Sequence, residues 1–252
     1  MGAWLAFSRP ASLRLSPADA AKATGVGAII ALHWICFFAA IQLANVSVAL
    51  VGYAATSVFT ALTEPLIDRR PVRPSEILLG LVVAAGLVLI VGFEHSQILG
   101  LAVALLCALF AAIFPVLNHR LVNRGLSSRT LLVYEMSGAA LVTLGIIAIL
   151  PPVVFQSPRA TDWLPLLTLA LACTVFAHSL HIHLLRKLSA YTSNLACNFE
   201  PVYGIILAAA IFQEHQELHP GFYLGALTIV AANIIQPILE RRRRNKAATP
   251  SP

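Results

Sequence analysis

The hydrophobic positions of this chain come in runs of about 20 residues, the length a helix needs to cross a bilayer. Eight runs are readable: 23–43, 46–66, 76–93, 98–118, 130–150, 163–185, 190–212 and 220–238. Short polar connectors separate them, among them "DRRPVRP", "EHSQ", "NHRLVNRGLSSR", "PPVVFQSPRATD", "RKLSA" and "QEHQELHP". Backbone groups in hydrocarbon must be satisfied within their own segment, so each run predicts a helix. No stretch shows the strict apolar–polar alternation of a membrane strand. The expected fold is therefore all-α, a polytopic membrane bundle of about eight transmembrane helices. The closing stretch "RRRRNKAATPSP" is polar and predicts a disordered tail.

Composition agrees with the pattern. Only 11% of the 252 residues are charged and 58% are hydrophobic, with mean hydropathy +0.82. Soluble domains carry about 25% charged residues, so this chain cannot coat a water-soluble globule. The net charge is +6. Its placement between apolar runs points to orientation in the membrane, not to nucleic acid. With the N-terminus inside, 16 of the 17 lysines and arginines fall on the inner side, and only Arg159 falls outside. That split predicts both termini cytoplasmic. The expected location is a bacterial inner membrane, as a multi-pass protein. Cys36, Cys107, Cys173 and Cys197 lie inside apolar runs without a C-x-x-C, which predicts small buried apolar groups. The opening "MGAWLAFSRPASLRLSPADAA" holds only the brief apolar piece "AWLAF", too short for a signal-peptide core.

The chain also repeats itself. Shifted by 145 residues, 33–90 lies over 178–235 without a gap. His33 meets His178, Leu43 meets Leu188, Leu79-Gly80 meets Leu224-Gly225, and Ile90 meets Ile235. Run and connector boundaries coincide. One matched connector is basic ("DRRPVRP") and its counterpart carries two glutamates ("QEHQELH"), so the halves are expected to cross the membrane in opposite senses. Inverted repeats of this kind mark secondary transporters, with the binding site near mid-membrane.

The segment "NFEPVYGIILAAAIFQE" followed by "GALTIVAANII" resembles the end of the second repeat in EamA-type transporters of the drug/metabolite transporter superfamily. "LHWICFFAAIQLANVSVALVGYAATSVFTALTEPL" resembles the third and fourth helices of that family. The resemblance covers roughly 22–238. It implies a carrier that moves small metabolites by alternating access, commonly outward. Family members usually have ten helices, five per repeat. The reading here is a cytoplasmic segment 1–21 (a remnant of a lost helix), a partial first repeat of three helices at 22–93, a complete second repeat of five helices at 98–238, and a basic tail at 239–252. The first two helices of the usual ten are expected to be lacking, through truncation or a misplaced start.

Several residues could carry the function. Glu200 sits mid-run, where a lipid-facing charge would cost at least about 2.5 kcal/mol. It therefore predicts a cavity, a partner or a proton. Ser193, Cys197, Glu200 and Gly204 share a helix face, with Asn198 and Tyr203 close by. Pro201 lacks an N–H and should break the helix and free the Cys197 carbonyl. Glu200 either binds solute, carries a proton or ties helices together. Tyr53, Ser57, Thr60 and Glu64 fall on one face of the run 46–66. They read either as a cavity wall or as hydroxyl-rich helix packing. His33-Trp34 sits mid-run, as a solute-contacting pair or as packing. Glu135 invites pairing with a histidine or a basic residue, in a gating or coupling role. In "HSLHIH", His178 and His181 share a face while His183 points elsewhere. No carboxylate or cysteine is spaced to complete a metal site, so neither a metal nor a cofactor is expected. "RRRR" reads as a topology anchor on the anionic inner leaflet.

No Walker A, G-x-S-x-G or H-E-x-x-H is present, and an enzyme is not expected. The expectation is a secondary transporter, an exporter of small metabolites or drugs, with proton coupling through Glu200. The alternative is a non-transporting membrane fragment or partner subunit that needs another chain to complete its bundle. Expected partners are a small-molecule solute, the lipid bilayer and a second copy of the chain as a homodimer. Nucleic acid is not among them.

Overall fold

The computed structural model describes residues 13–69, 71–72, 74–93, 95–149, 158–188, 200–216 and 218–248. Regular structure among the described residues is helical throughout. In chain order the helices are α1 (Pro17–Leu43), α2 (Val46–Tyr53), α3 (Thr56–Asp68), α4 (Pro74–Phe93), α5 (Ile98–Asn123) and α6 (Ser128–Ile149). Then come α7 (Trp163–Thr168), a π-helical segment (Leu169–Phe176), α8 (Ala177–Leu184), α9 (Glu200–Phe212) and α10 (Pro220–Ala248). Five stretches are long and apolar enough to cross a membrane: Pro17–Leu43, Val46–Asp68, Ile98–Asn123, Ser128–Ile149 and Ala160–Leu184. Shorter apolar helices at Leu78–Ile90, Tyr203–Phe212 and Pro220–Ala232 fall in the other three predicted runs. The protein is a polytopic helical membrane protein.

Local chemistry sets the helix ends. Ser16 accepts from the Asp19 N–H at 3.1 Å and starts α1. Asn45 starts α2 by accepting from the Val48 N–H at 2.8 Å. Gly125, at φ 86°, makes the turn out of α5, and Ser127 accepts from the Thr130 N–H to open α6.

Three expectations change. First, the run 46–66 lies in the single apolar span Val46–Asp68, but its helix tightens by one turn at Ala54 and Ala55, where the Ala55 N–H bonds back three residues to Gly52 while the backbone stays right-handed helical. The Thr56 hydroxyl donates to the Tyr53 carbonyl at 2.6 Å, so a hydroxyl serves a carbonyl at the tightened turn. In the 145-residue register Ala55-Thr56 correspond to Glu200-Pro201, so the tightened turn lies beside the position where the second repeat carries its proline. Second, the helix α10 runs on to Ala248 and includes Arg241–Arg244, where a disordered tail is predicted. Glu, Arg, Lys and Ala are good helix formers, and after Pro237 no proline or glycine intervenes before Pro250. Third, Cys107 is buried as expected, but Cys36 is half-buried and Cys173 is exposed. In a membrane an exposed face needs only to be apolar, and a thiol satisfies that. Cys197 lies outside the described residues.

The chain divides into two compact units. One comprises Met1–Leu32 with Leu117–Ser189, the other His33–Val116 with Ala190–Pro252. Helices α1 and α5 each contribute to both. In the first unit α1 and α6 cross at their glycines. A Cβ at Gly27 would strike the Glu135 backbone, and one at Gly138 would strike the Thr24 carbonyl. In the second unit α4 packs along α10, and α9 packs on α2. A Cβ at Gly225 would lie 2.7 Å from the Gly86 carbonyl oxygen, and one at Gly86 would lie 2.6 Å from Ile229 Cγ1. Lipid tails are as apolar as leucine, so such close backbone approach, not hydrophobic exclusion, holds membrane helices together. Val48, Val51, Val83, Ile90, Phe222 and Ile229 fill the core around these crossings.

Candidate functional site

In the first unit, Glu135 of α6 meets His178 of α8. Glu135 Oε2 and His178 Nε2 are 2.7 Å apart, with Glu135 fully buried and His178 nearly so. The pairing follows from the packing. Gly138 and Gly27 let α1 approach α6 closely, and α8 lies against α6 as well. The His178 ring is 6.2 Å from that of His181, one turn on. Glu135 Oε1 is buried and makes no hydrogen bond among the described residues. A carboxylate with one satisfied oxygen, deep in an apolar unit, is an unusual group to keep. At 2.7 Å the two atoms share one proton in a hydrogen bond.

In the second unit His33 joins an aromatic group. Its ring lies 5.7 Å from Tyr53 and 5.9 Å from Phe114, and Phe37 lies 6.1 Å from Tyr53. His33 Nδ1 is 3.2 Å from the Cys107 carbonyl oxygen and 3.1 Å from Cys107 Sγ. With its proton on Nδ1, the imidazole donates to that carbonyl. Trp34 is half-buried. Ser57 and Thr60 are buried, and their hydroxyls donate within their own stretch, to the Ala54 carbonyl at 3.5 Å and the Thr56 carbonyl at 2.7 Å. Glu64 is also buried. Of the face predicted from 46–66, then, Tyr53 turns to aromatic neighbours while Ser57, Thr60 and Glu64 are enclosed.

Glu200 and Pro201 open the described part of α9. Glu200 is exposed and Pro201 is buried. Tyr203 is exposed, and Gly204 packs on Leu50 of α2. Asn198, Ser193 and Cys197 lie outside the described residues, so the polar stripe predicted around Glu200 is seen only in its second half. Glu200 and Tyr53 belong to the same unit, whereas Glu135 and His178 belong to the other.

Sequence reasoning missed three things. Phe114 and Cys107 are seven residues apart, two turns on one face of α5, a signal that could have paired them. Asn118, read as the polar end of a run, is fully buried. Glu214, read as a loop charge, is buried too. It accepts from the Val46 and Ser47 N–H groups at 2.9 Å each and from the Ser47 hydroxyl at 2.5 Å. It caps α2 from 167 residues away in sequence. No group of three or more metal-ligating residues is found among the described residues.

The model of the EamA-like transporter family matches residues 98–235. A solved structure described as "Crystal structure of protein" is similar over 95% of this chain and 84% of its own, at a TM-score of 0.66 and 18% identity. That likeness concerns the fold. No curated protein was found to match the chain.

Proposed function

The chain belongs to the EamA-like transporter family, and from that premise we propose that it is a secondary transporter exporting small metabolites or drugs by alternating access. The family match over 98–235 carries this reading. The tightened turn at Ala54-Ala55 supports it, because a short 3₁₀ stretch within a helix often marks a functional hinge. Glu200, His33 and Tyr53 are proposed to line the solute pathway, with Trp34, Tyr203 and the Ser57–Thr60 segment supporting it. Coupling to protons is proposed at two places, Glu200 and the Glu135–His178 pair. Both termini are proposed to lie in the cytoplasm, on the distribution of arginine and lysine, in a bacterial inner membrane.

The test is flux in vesicles reconstituted with the purified chain. A panel of amino acids, nucleobases and amphipathic drugs is offered with and without an imposed pH gradient. Transport of at least one class, accelerated by the gradient, is expected. Glu200→Gln is expected to remove solute-dependent flux or its pH response. Wild-type flux and pH response in that variant would remove Glu200 from the mechanism. No flux of any solute would refute the transporter reading.

A further inference from the structure

We propose that the first unit carries a binding site for one anionic phospholipid, where the start of α6 meets the π segment and α8. A cavity of about 640 Å³ lies there. Its lining includes Arg129, His183 and Arg186, together with the apolar residues Leu171, Phe176 and Leu180. No aspartate or glutamate is among the described residues lining it. The acid nearest in sequence, Glu135, is engaged with His178. The site is therefore cationic without a counter-charge.

Both arginines line the same cavity. Arg129 lies in the first turn of α6. Arg186, just past α8, donates through Nη2 to the Leu126 carbonyl at 3.0 Å, which ties it to the turn before α6. Two arginines in one cavity suit a phosphate, which guanidinium groups grip through paired N–H groups.

The length of the site argues for a lipid and against a small anion. From Arg186 back to Leu171 is roughly 20 Å of helix at about 1.5 Å per residue. A free anion would use the arginines alone. A phospholipid places its phosphate between the arginines and lays its acyl chains along the apolar lining. That lining belongs to the apolar stretch Ala160–Leu184, of which only 6% is buried, less than any other long apolar helix among the described residues. Leu164, Leu167, Leu171 and Phe176 are all exposed along it. The π turns widen the helix at Leu171 and Phe176, where the Thr174 hydroxyl reaches back five residues to the Leu169 carbonyl at 2.9 Å. Basic residues near the membrane surface favour anionic lipid by roughly fivefold per arginine. The site is independent of the transport reading: it needs only that the chain spans a membrane.

The test uses the full chain in phosphatidylcholine bilayers containing trace spin-labelled phosphatidylglycerol or spin-labelled phosphatidylcholine. Electron spin resonance gives the protein-associated fraction of each. The wild type is expected to prefer phosphatidylglycerol. Arg129→Gln is expected to cut the preference roughly fivefold, and Arg129→Gln with Arg186→Gln to abolish it. Arg241→Gln with Arg242→Gln removes equal charge from the basic tail and should lower the preference by clearly less than the Arg129/Arg186 pair does. Arg129→Gln alone leaves the Arg186–Leu126 bond intact, so it decides the matter if the double variant does not fold. Equal association of both lipids with the wild type would overturn the proposal. So would an equal loss in the Arg241/Arg242 control, or displacement of labelled phosphatidylglycerol by millimolar inorganic phosphate.

Discussion

Replacing Glu214 by alanine should destabilise the second unit far more than its place in a polar connector suggests. The carboxylate accepts from two backbone N–H groups of α2, at Val46 and Ser47, and from the Ser47 hydroxyl. Those N–H groups head a helix and have no partner within it. Ser47 is buried, so alanine at 214 would strand its N–H away from water. A buried donor left unsatisfied costs about 1–3 kcal/mol. The loss of a negative charge at the positive end of α2 adds about 0.3–1 kcal/mol. The hydroxyl can rotate to another acceptor and is counted as nothing. The sum is about 3 kcal/mol for Glu214→Ala. Glutamine can keep its one oxygen on the Ser47 N–H and hydroxyl and leave only the part-buried Val46 N–H without an acceptor, so Glu214→Gln should cost less, about 1 kcal/mol. Ser47→Ala, which spares both N–H bonds, should cost about 1 kcal/mol or less. The assay is reversible urea unfolding of the purified protein in detergent, followed by circular dichroism. A Glu214→Ala variant as stable as wild type would refute the capping argument. An alanine cost no larger than the glutamine cost would refute the division between hydrogen bonds and charge.

Other substitutions test the packing and the buried pair. Gly27→Ala puts a methyl group against the backbone of Glu135, which cannot swing aside, and should cost about 1–3 kcal/mol in the same unfolding assay. Gly25→Ala, two residues away in open space, should be neutral or stabilising by up to about 1 kcal/mol. Glu135→Ala and His178→Ala should each cost about 3–5 kcal/mol, because each strands its buried partner. The double variant should cost clearly less than their sum, and strict additivity would deny the interaction. Gly225→Val should separate α4 from α10 at Gly86, which a cysteine crosslink between the two helices would report as lost yield.

Chemistry at Glu135 was partly legible and partly not. A glutamate inside an apolar run must face something, and a histidine partner is an expectation that composition alone supports. That the histidine is His178 depends on α6 and α8 lying side by side, 43 residues apart in sequence. Glu214 was not legible at all. A glutamate in a polar connector carries no local sign that it caps a helix formed much earlier in the chain. The tightened turn at Ala54-Ala55 was hidden for a different reason. Alanine is a strong helix former, so no propensity marks the tightening. Only the hydroxyls of Thr56 and Ser57, able to serve freed carbonyls, hint at it.

By itself the sequence determined the solvent and the class of fold. Apolar runs of membrane length leave helices as the satisfied form of the backbone, and the family follows from the order of those runs and their motifs. The tertiary structure decided which polar groups inside the membrane would be partnered. Glycines at 27, 138, 86 and 225 set how closely the helices approach, and that approach selects who meets whom. Hydropathy is a property of each segment, readable one residue at a time. A hydrogen bond across 43 or 167 residues is a property of two segments at once, and it exists only after they pack.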